Sequence, residues 1–374
     1  MKTLVLLTGF VLGAGCGGDD GGSSLDADAK PVIAAYATNV HANYDAALVG
    51  AKDLQTKIAA FVATPNDTTL GAARTSWLAA REPYLLSEVY RFYDGPIDNP
   101  TDGPEGQINA WPLDEVYIDY VDGDANAGII NDPSVTITKE MLAARNEEGG
   151  EKNISTGFHA IEFLLWGQDL SDSGPGARPA TDYTTAPNAD RRKQYLTVVT
   201  ELLVDDLTAV RDAWTPGSNY AAALVAVAPE EALRRMLQGM GALGGAELAG
   251  ERMTTAYDNR DQEDEHSCFS DNTHRDLRGN AIGIQNVYLG RYAANDAAGI
   301  DDLVKSRDPA LAARLGDELA ASVAAIEAIP APFDNALVDE AERPKILAAV
   351  RALQTQTETV VEVATLLGIT INLE

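Results

Sequence analysis

The sequence predicts an all-α protein folded as two tandem four-helix bundles, and three observations carry that prediction. Apolar and small residues recur at steps of three and four through most of the chain, the period of helices with one buried face. Alternating strand patterns are almost absent. Two stretches rich in Pro, Gly and Asp, 93–138 and 167–190, break the rhythm, and a split near residue 187 leaves about four helices on each side. The expected units are therefore a first bundle over 30–187 and a second over 188–374. No residue-level repeat accompanies the division.

Taken in order, Ile33, Tyr36, Val40, Tyr44, Ala47, Ala51, Leu54, Ile58 and Phe61 mark one long amphipathic helix. A second is predicted over 68–92, stopped near Asp94-Gly95-Pro96. The period returns at positions 196, 199, 203, 207, 210 and 214. Residues 229–257 are rich in Ala, Leu and Met. Gly239, Gly241, Gly244 and Gly245 lower helix propensity there and read as points of close helix packing. Helices over 273–292, 309–329 and 345–367 complete the set.

The N-terminus indicates the compartment. Lys2, the apolar run 4–12 and Gly13-Ala14-Gly15-Cys16 form a charged region, a short apolar region and small residues before a Cys. That pattern reads as a bacterial lipoprotein signal over 1–15, with Cys16 lipidated and 16–29 a flexible tether. An ordinary cleaved signal peptide is the other reading. The run is too short for a permanent span, so membrane contact is expected through the lipid anchor only. With Cys16 lipidated, Cys268 has no intrachain partner and is expected to pack as a small apolar residue. The chain carries 28 Lys and Arg against 57 Asp and Glu, a formal net charge of −29. Such a field repels nucleic acid and anionic lipid and leaves cations and basic partners open.

Three clusters could carry chemistry. In Gly157-Phe158-His159-Ala160-Ile161-Glu162, His159 and Glu162 lie three apart and share a helix face. Imidazole and carboxylate on one face can begin a metal site, although a His bonded to a Glu one turn away is also common structure. In the run 266–276, His266, Ser270, Asp271 and His274 gather around an expected helix start, which Asp271 or Asn272 would cap. In the third, Arg81, Tyr84 and Glu88 share a spacing of three and four beside Trp77, so a half-buried face with paired charges is expected. Glu115, after Trp111-Pro112, adds an acid from the irregular stretch, and His41 reads as structural or exposed. No His-Glu-x-x-His pair, phosphate-binding glycine loop or Gly-x-Ser-x-Gly elbow occurs.

The segment 157–162 resembles the Gly-x-His-x-x-Glu signature of the imelysin-like family, also called peptidase family M75. Trp77 with Arg81-Glu82-Pro83-Tyr84, the run 92–98, Gly103-Pro104-Glu105-Gly106 with Ile108-Asn109-Ala110-Trp111-Pro112, and the run 266–274 resemble its iron-regulated protein A branch. The resemblance covers about residues 30–370. It implies two helical bundles with a functional site in the cleft between them, and an envelope-anchored protein linked to iron or other metal handling.

The expectation is thus an exported envelope lipoprotein, periplasmic or cell-surface, with the outer membrane as its expected place. It would bind iron, or zinc or manganese, for uptake or sensing, alongside a membrane transporter or envelope protein. His159, Glu162 and Glu88 would be ligands. Arg81 and Tyr84 would orient carboxylates, and His266, Ser270 or Asp271 would close the site from the second bundle. His274 and Glu115 are further cleft candidates. Two rival readings stand beside it: a metal-dependent peptidase in the same cleft, and a docking module for haem, a siderophore or a partner protein. A metallopeptidase needs roughly three protein ligands, an open position and a nearby base. His159 and Glu162 supply two ligands only, so enzymatic action is the lesser expectation.

Overall fold

The computed structural model describes residues 25–171 and 174–373. The expected signal, Cys16 and the start of the tether lie outside the described residues. Eight α-helices of ten residues or more organise the rest: α1 Leu25–Ala63, α2 Asp67–Leu85, α3 Gly157–Trp166, α4 Ala189–Ala213, α5 Pro229–Ala242, α6 Thr273–Tyr288, α7 Pro309–Glu327 and α8 Arg343–Leu366. A π-helical stretch, Leu243–Thr254, continues α5. The strands described are two residues each, a hairpin of Arg291–Tyr292 with Asn295–Asp296.

Local sequence sets the ends. Asn66 caps α2 by accepting from the backbone N–H groups of Thr68 and Thr69, while Thr69 Oγ1 accepts from the Asn66 N–H in return. Asp308 caps α7 ahead of Pro309. Helix α1 starts at Leu25 rather than after the expected tether, because Ala29 and Val32 already turn their side chains into the core.

Helices α1, α2, α3 and α4 pack as one group, and α5 with its π stretch, α6, α7 and α8 as the other. The stretch 167–190, expected as the crossing between bundles, instead leads into α4, which returns to α1 and α3. The groups meet where α6 lies against α2 and α5 against α1. One apolar core runs through both, with Trp77, Tyr84, Phe158, Leu237 and Ile284 among its members, and a second cluster around Leu277, Phe333 and Leu353 fills the far end of the second group. Among the described residues no helix is long and apolar enough to cross a membrane.

Candidate functional site

The site forms where α2, α3 and α6 converge, and backbone geometry delivers its residues. Helix α3 opens on Gly157 at φ +83°, a left-handed conformation that L side chains resist. A Cβ there would stand 2.5 Å from the Ile108 carbonyl oxygen, so glycine also lets the segment before Asn109 press against the helix start. From that start, His159 and Glu162 face inward one turn apart, both fully buried. Arg81 reaches the same place from α2, with its guanidinium over the rings of Trp77, Tyr84 and Phe158.

Two histidine–carboxyl pairs face each other, their imidazole centroids 4.7 Å apart. His159 Nδ1 lies 2.8 Å from Glu162 Oε2, and Glu162 Oε1 accepts from Ser270 N at 3.0 Å and Ser270 Oγ at 2.6 Å. Burial pushes the Glu162 carboxyl up to about 8, against the pull of the Ser270 hydroxyl. Burial also lowers His159 well below the usual imidazole range, helped by His266 and Arg81. Both shifts favour the uncharged forms of the pair. A protonated carboxyl would donate from Oε2 to Nδ1 and leave the imidazole hydrogen on Nε2, a buried atom with no hydrogen-bond partner.

The second pair is built differently. Asp276 Oδ2 accepts from Arg81 Nη2 at 3.2 Å and from Ser267 Oγ, and stands 2.7 Å from His266 Nδ1. An ion-paired carboxylate can only accept, so Nδ1 holds the imidazole proton and Nε2 is left as the lone-pair nitrogen. Asn109 Nδ2 stands 3.5 Å from that Nε2 and 3.4 Å from Glu88 Oε1, while Arg81 Nη1 donates to Asn109 Oδ1. Burial, then Arg252 and Arg81, keep His266 well below its usual range.

His266 borders a cavity of about 320 Å³. Its walls carry five carboxylates, Glu105, Glu147, Glu247, Glu251 and Asp264, against two guanidiniums, Arg91 and Arg252. Both guanidiniums are engaged: Arg91 with Glu88 and Glu105, each at 3.1 Å, and Arg252 with Glu88 at 2.6 Å and Glu247 at 2.8 Å. Burial alone would raise Glu88, but Arg252 and Arg91 outweigh it and hold the carboxyl at about 2. Burial lifts Glu105 despite Arg91.

Of the residues singled out from sequence, the structure brings His159, Glu162, Ser270, His266 and Arg81 into one connected group. Glu88 joins it through Asn109 as an ion-paired carboxylate rather than a free one, and it sits on a 3-10 turn, Glu88–Tyr90, because α2 ends at Leu85. Tyr84 departs from expectation: its hydroxyl is buried without a hydrogen-bond partner and orients no carboxylate. Asp271 occupies a left-handed corner (φ +55°) and bonds Asp169, away from His159. Neither Asp271 nor Asn272 caps α6 with its side chain; that of Asn272 donates to Asp276 instead. His274 is half-buried outside the group, and Glu115 accepts from Gln168. Cys268 is buried and free. Sequence reading gave no weight to Asn109, Asp276 or Arg252. A lone Arg in a stretch of Ala, Gly and Met, five residues after Glu247, was the available signal for the last.

In this arrangement both Glu162 oxygens are hydrogen-bonded and Glu88 is held by two guanidiniums. Among the described residues no three His, Cys, Asp or Glu side chains converge on one point.

The family model described as Imelysin (Peptidase M75) matches residues 40–360. Iron-regulated protein A of Synechococcus elongatus is 24% identical over 328 residues, covering 85% of this chain and 80% of that protein. Among solved structures, an iron-regulated protein A precursor from Parabacteroides distasonis superposes with a TM-score of 0.69 at 22% identity, covering 91% of this chain and 96% of its own. An imelysin-like protein from Psychrobacter arcticum gives 0.66 at 14% identity, covering 92% and 98%. At these identities the structural likeness speaks to the fold.

Proposed function

Because the chain belongs to the imelysin (peptidase M75) family, we propose that it is an exported iron-handling protein that takes a hydrated divalent cation, iron(II) foremost, into the cavity beside His266. The observation that carries this reading is the cavity wall itself, where five carboxylates outnumber two guanidiniums that are already paired. A concave surface with that excess draws cations inward. Carboxylates and an imidazole suit iron, manganese or zinc, and an ion that keeps part of its water shell needs no ready-made set of three ligands. The names of the relatives, iron-regulated protein A and a precursor of it, support iron as cargo and export as route. Anchoring through Cys16 belongs to the same proposal. Binding rather than bond cleavage is proposed, because cation attraction is what the carboxylate-rich wall supports directly.

Anaerobic equilibrium dialysis with iron(II), manganese(II) and zinc(II), followed by elemental analysis, tests this. The wild type is expected to retain about one equivalent, and Glu247→Gln/Glu251→Gln to lose affinity roughly tenfold, about 1.4 kcal/mol. No retained metal in the wild type overturns the reading. Loss in His159→Ala/Glu162→Ala with full retention in the cavity variant would move the ion to the deep pair.

A further inference from the structure

We propose that Arg252 is a built-in cation that the cargo displaces: its guanidinium fills the place between Glu88 and Glu247, and an arriving divalent ion moves it aside and takes those carboxylates. The inference rests on the cavity being the cation site. Its ground is the setting of a single side chain. Arg252 is 4% exposed in its side chain yet borders the cavity. Nη2 donates to Glu88 Oε2 at 2.6 Å and to Glu247 Oε1 at 2.8 Å, Nε to Glu247 Oε1 at 3.1 Å, and Nη1 to Asn280 Oδ1 at 2.7 Å. Next to Glu88 stands the Asn109 amide nitrogen at 3.4 Å, and 3.5 Å from that nitrogen lies His266 Nε2. Two carboxylates, with an imidazole nearby, are groups that suit a divalent ion, and a guanidinium now holds both carboxylates. Arg252 thus supplies positive charge that a metal could supply in its place, since a buried Glu88 with Arg91 alone would be poorly compensated.

The backbone offers a route for the exchange. Glu247 and Arg252 are five residues apart, and the i→i+5 winding of Leu243–Thr254 brings them onto one face. At α pitch, neighbours on one face lie three and four apart instead. Unwinding a single π turn would separate the pair and swing the guanidinium from Glu88. Once the ion is in place, Glu88 keeps Arg91 at 3.1 Å and the cation replaces the charge that has left.

Manganese(II) affinity, read from the electron paramagnetic resonance of the free ion, decides the matter for the wild type, Arg252→Gln and Arg252→Lys. Arg252→Gln frees both carboxylates and is expected to bind at least about tenfold tighter. Arg252→Lys keeps a charge beside Glu88 but cannot bridge two carboxylates, so it is expected to fall between. Damage to the fold would weaken binding, so tightening is a result that a purely structural arginine would not give. Should Arg252→Gln fail to fold, Arg252→Lys carries the test. If the wild type binds manganese and a folded variant binds no tighter, displacement is overturned and the cavity reading stands. If no protein binds, both fall together.

Discussion

Glu162 shows how one buried carboxyl couples the site to pH. Its oxygens are fully satisfied by Ser270 and His159, yet burial raises it to about 8. An unfolded Glu titrates near about 4.3. Between those values the unfolded chain has released its proton while the folded chain still holds it, so folding stability falls as pH rises through this window and is fully present below it. Glu162→Gln reproduces the protonated group, since its amide can donate to His159 Nδ1 and its oxygen can accept from Ser270. Denaturant unfolding is expected to show wild type and variant alike near pH about 4.5, with the variant gaining on the order of a few kcal/mol by pH about 8. Parallel curves across that range would mean that Glu162 is ionised in the folded protein. The pairing of His159 with Glu162 was legible from their spacing of three. The neutrality of the pair was not, because it comes from complete burial, which outweighs the pull of Ser270 and Arg81 on the Glu162 carboxyl.

At the scale of elements, glycines decide how closely segments approach. Gly157 combines φ +83° with a Cβ position 2.5 Å from the Ile108 oxygen. Gly157→Ala is therefore expected to lose at least about 2 kcal/mol in urea unfolding, from left-handed strain plus the clash, and to loosen Asn109 from Glu88. Gly316 is the contrast: it lies inside α7 with nothing within 4 Å of its missing Cβ. Gly316→Ala is expected to gain about 0.5–1 kcal/mol. Equal effects from the two changes would refute the packing argument. The long helices were readable because their apolar period runs over many turns, and Gly239 behaves as expected, its Cβ position falling 2.2 Å from the Val89 oxygen. The π winding of Leu243–Thr254 was hidden, because its apolar residues suit α pitch as well. The end of α2 was hidden too: the period continues to Glu88 although the backbone turns at Leu86.

For the whole molecule, a net charge of −29 sets a background that opposes compactness. Self-repulsion of this kind is screened by salt. The melting temperature is expected to rise by several degrees between about 10 mM and about 0.2 M sodium chloride, whereas surface ion pairs such as Arg314–Glu362 would lose strength over the same range. A falling melting temperature would show those pairs outweighing the general field. The all-helical class was visible in the sequence, but the membership of each group was not. Helix α4 carries the same period as its neighbours, and only packing shows that it returns to α1. The site itself alternates between the groups. Arg81, Asn109, His159 and Glu162 come from before residue 187, and Arg252, His266, Ser270 and Asp276 from after it. Arg81 and Asp276, 195 positions apart, are each fully buried and each charged. A chain emerging from synthesis or export therefore carries Arg81 without its carboxylate partner until α6 arrives. The buried circuit thus doubles as a mark of completion, closed only in molecules whose two halves have both been made and joined.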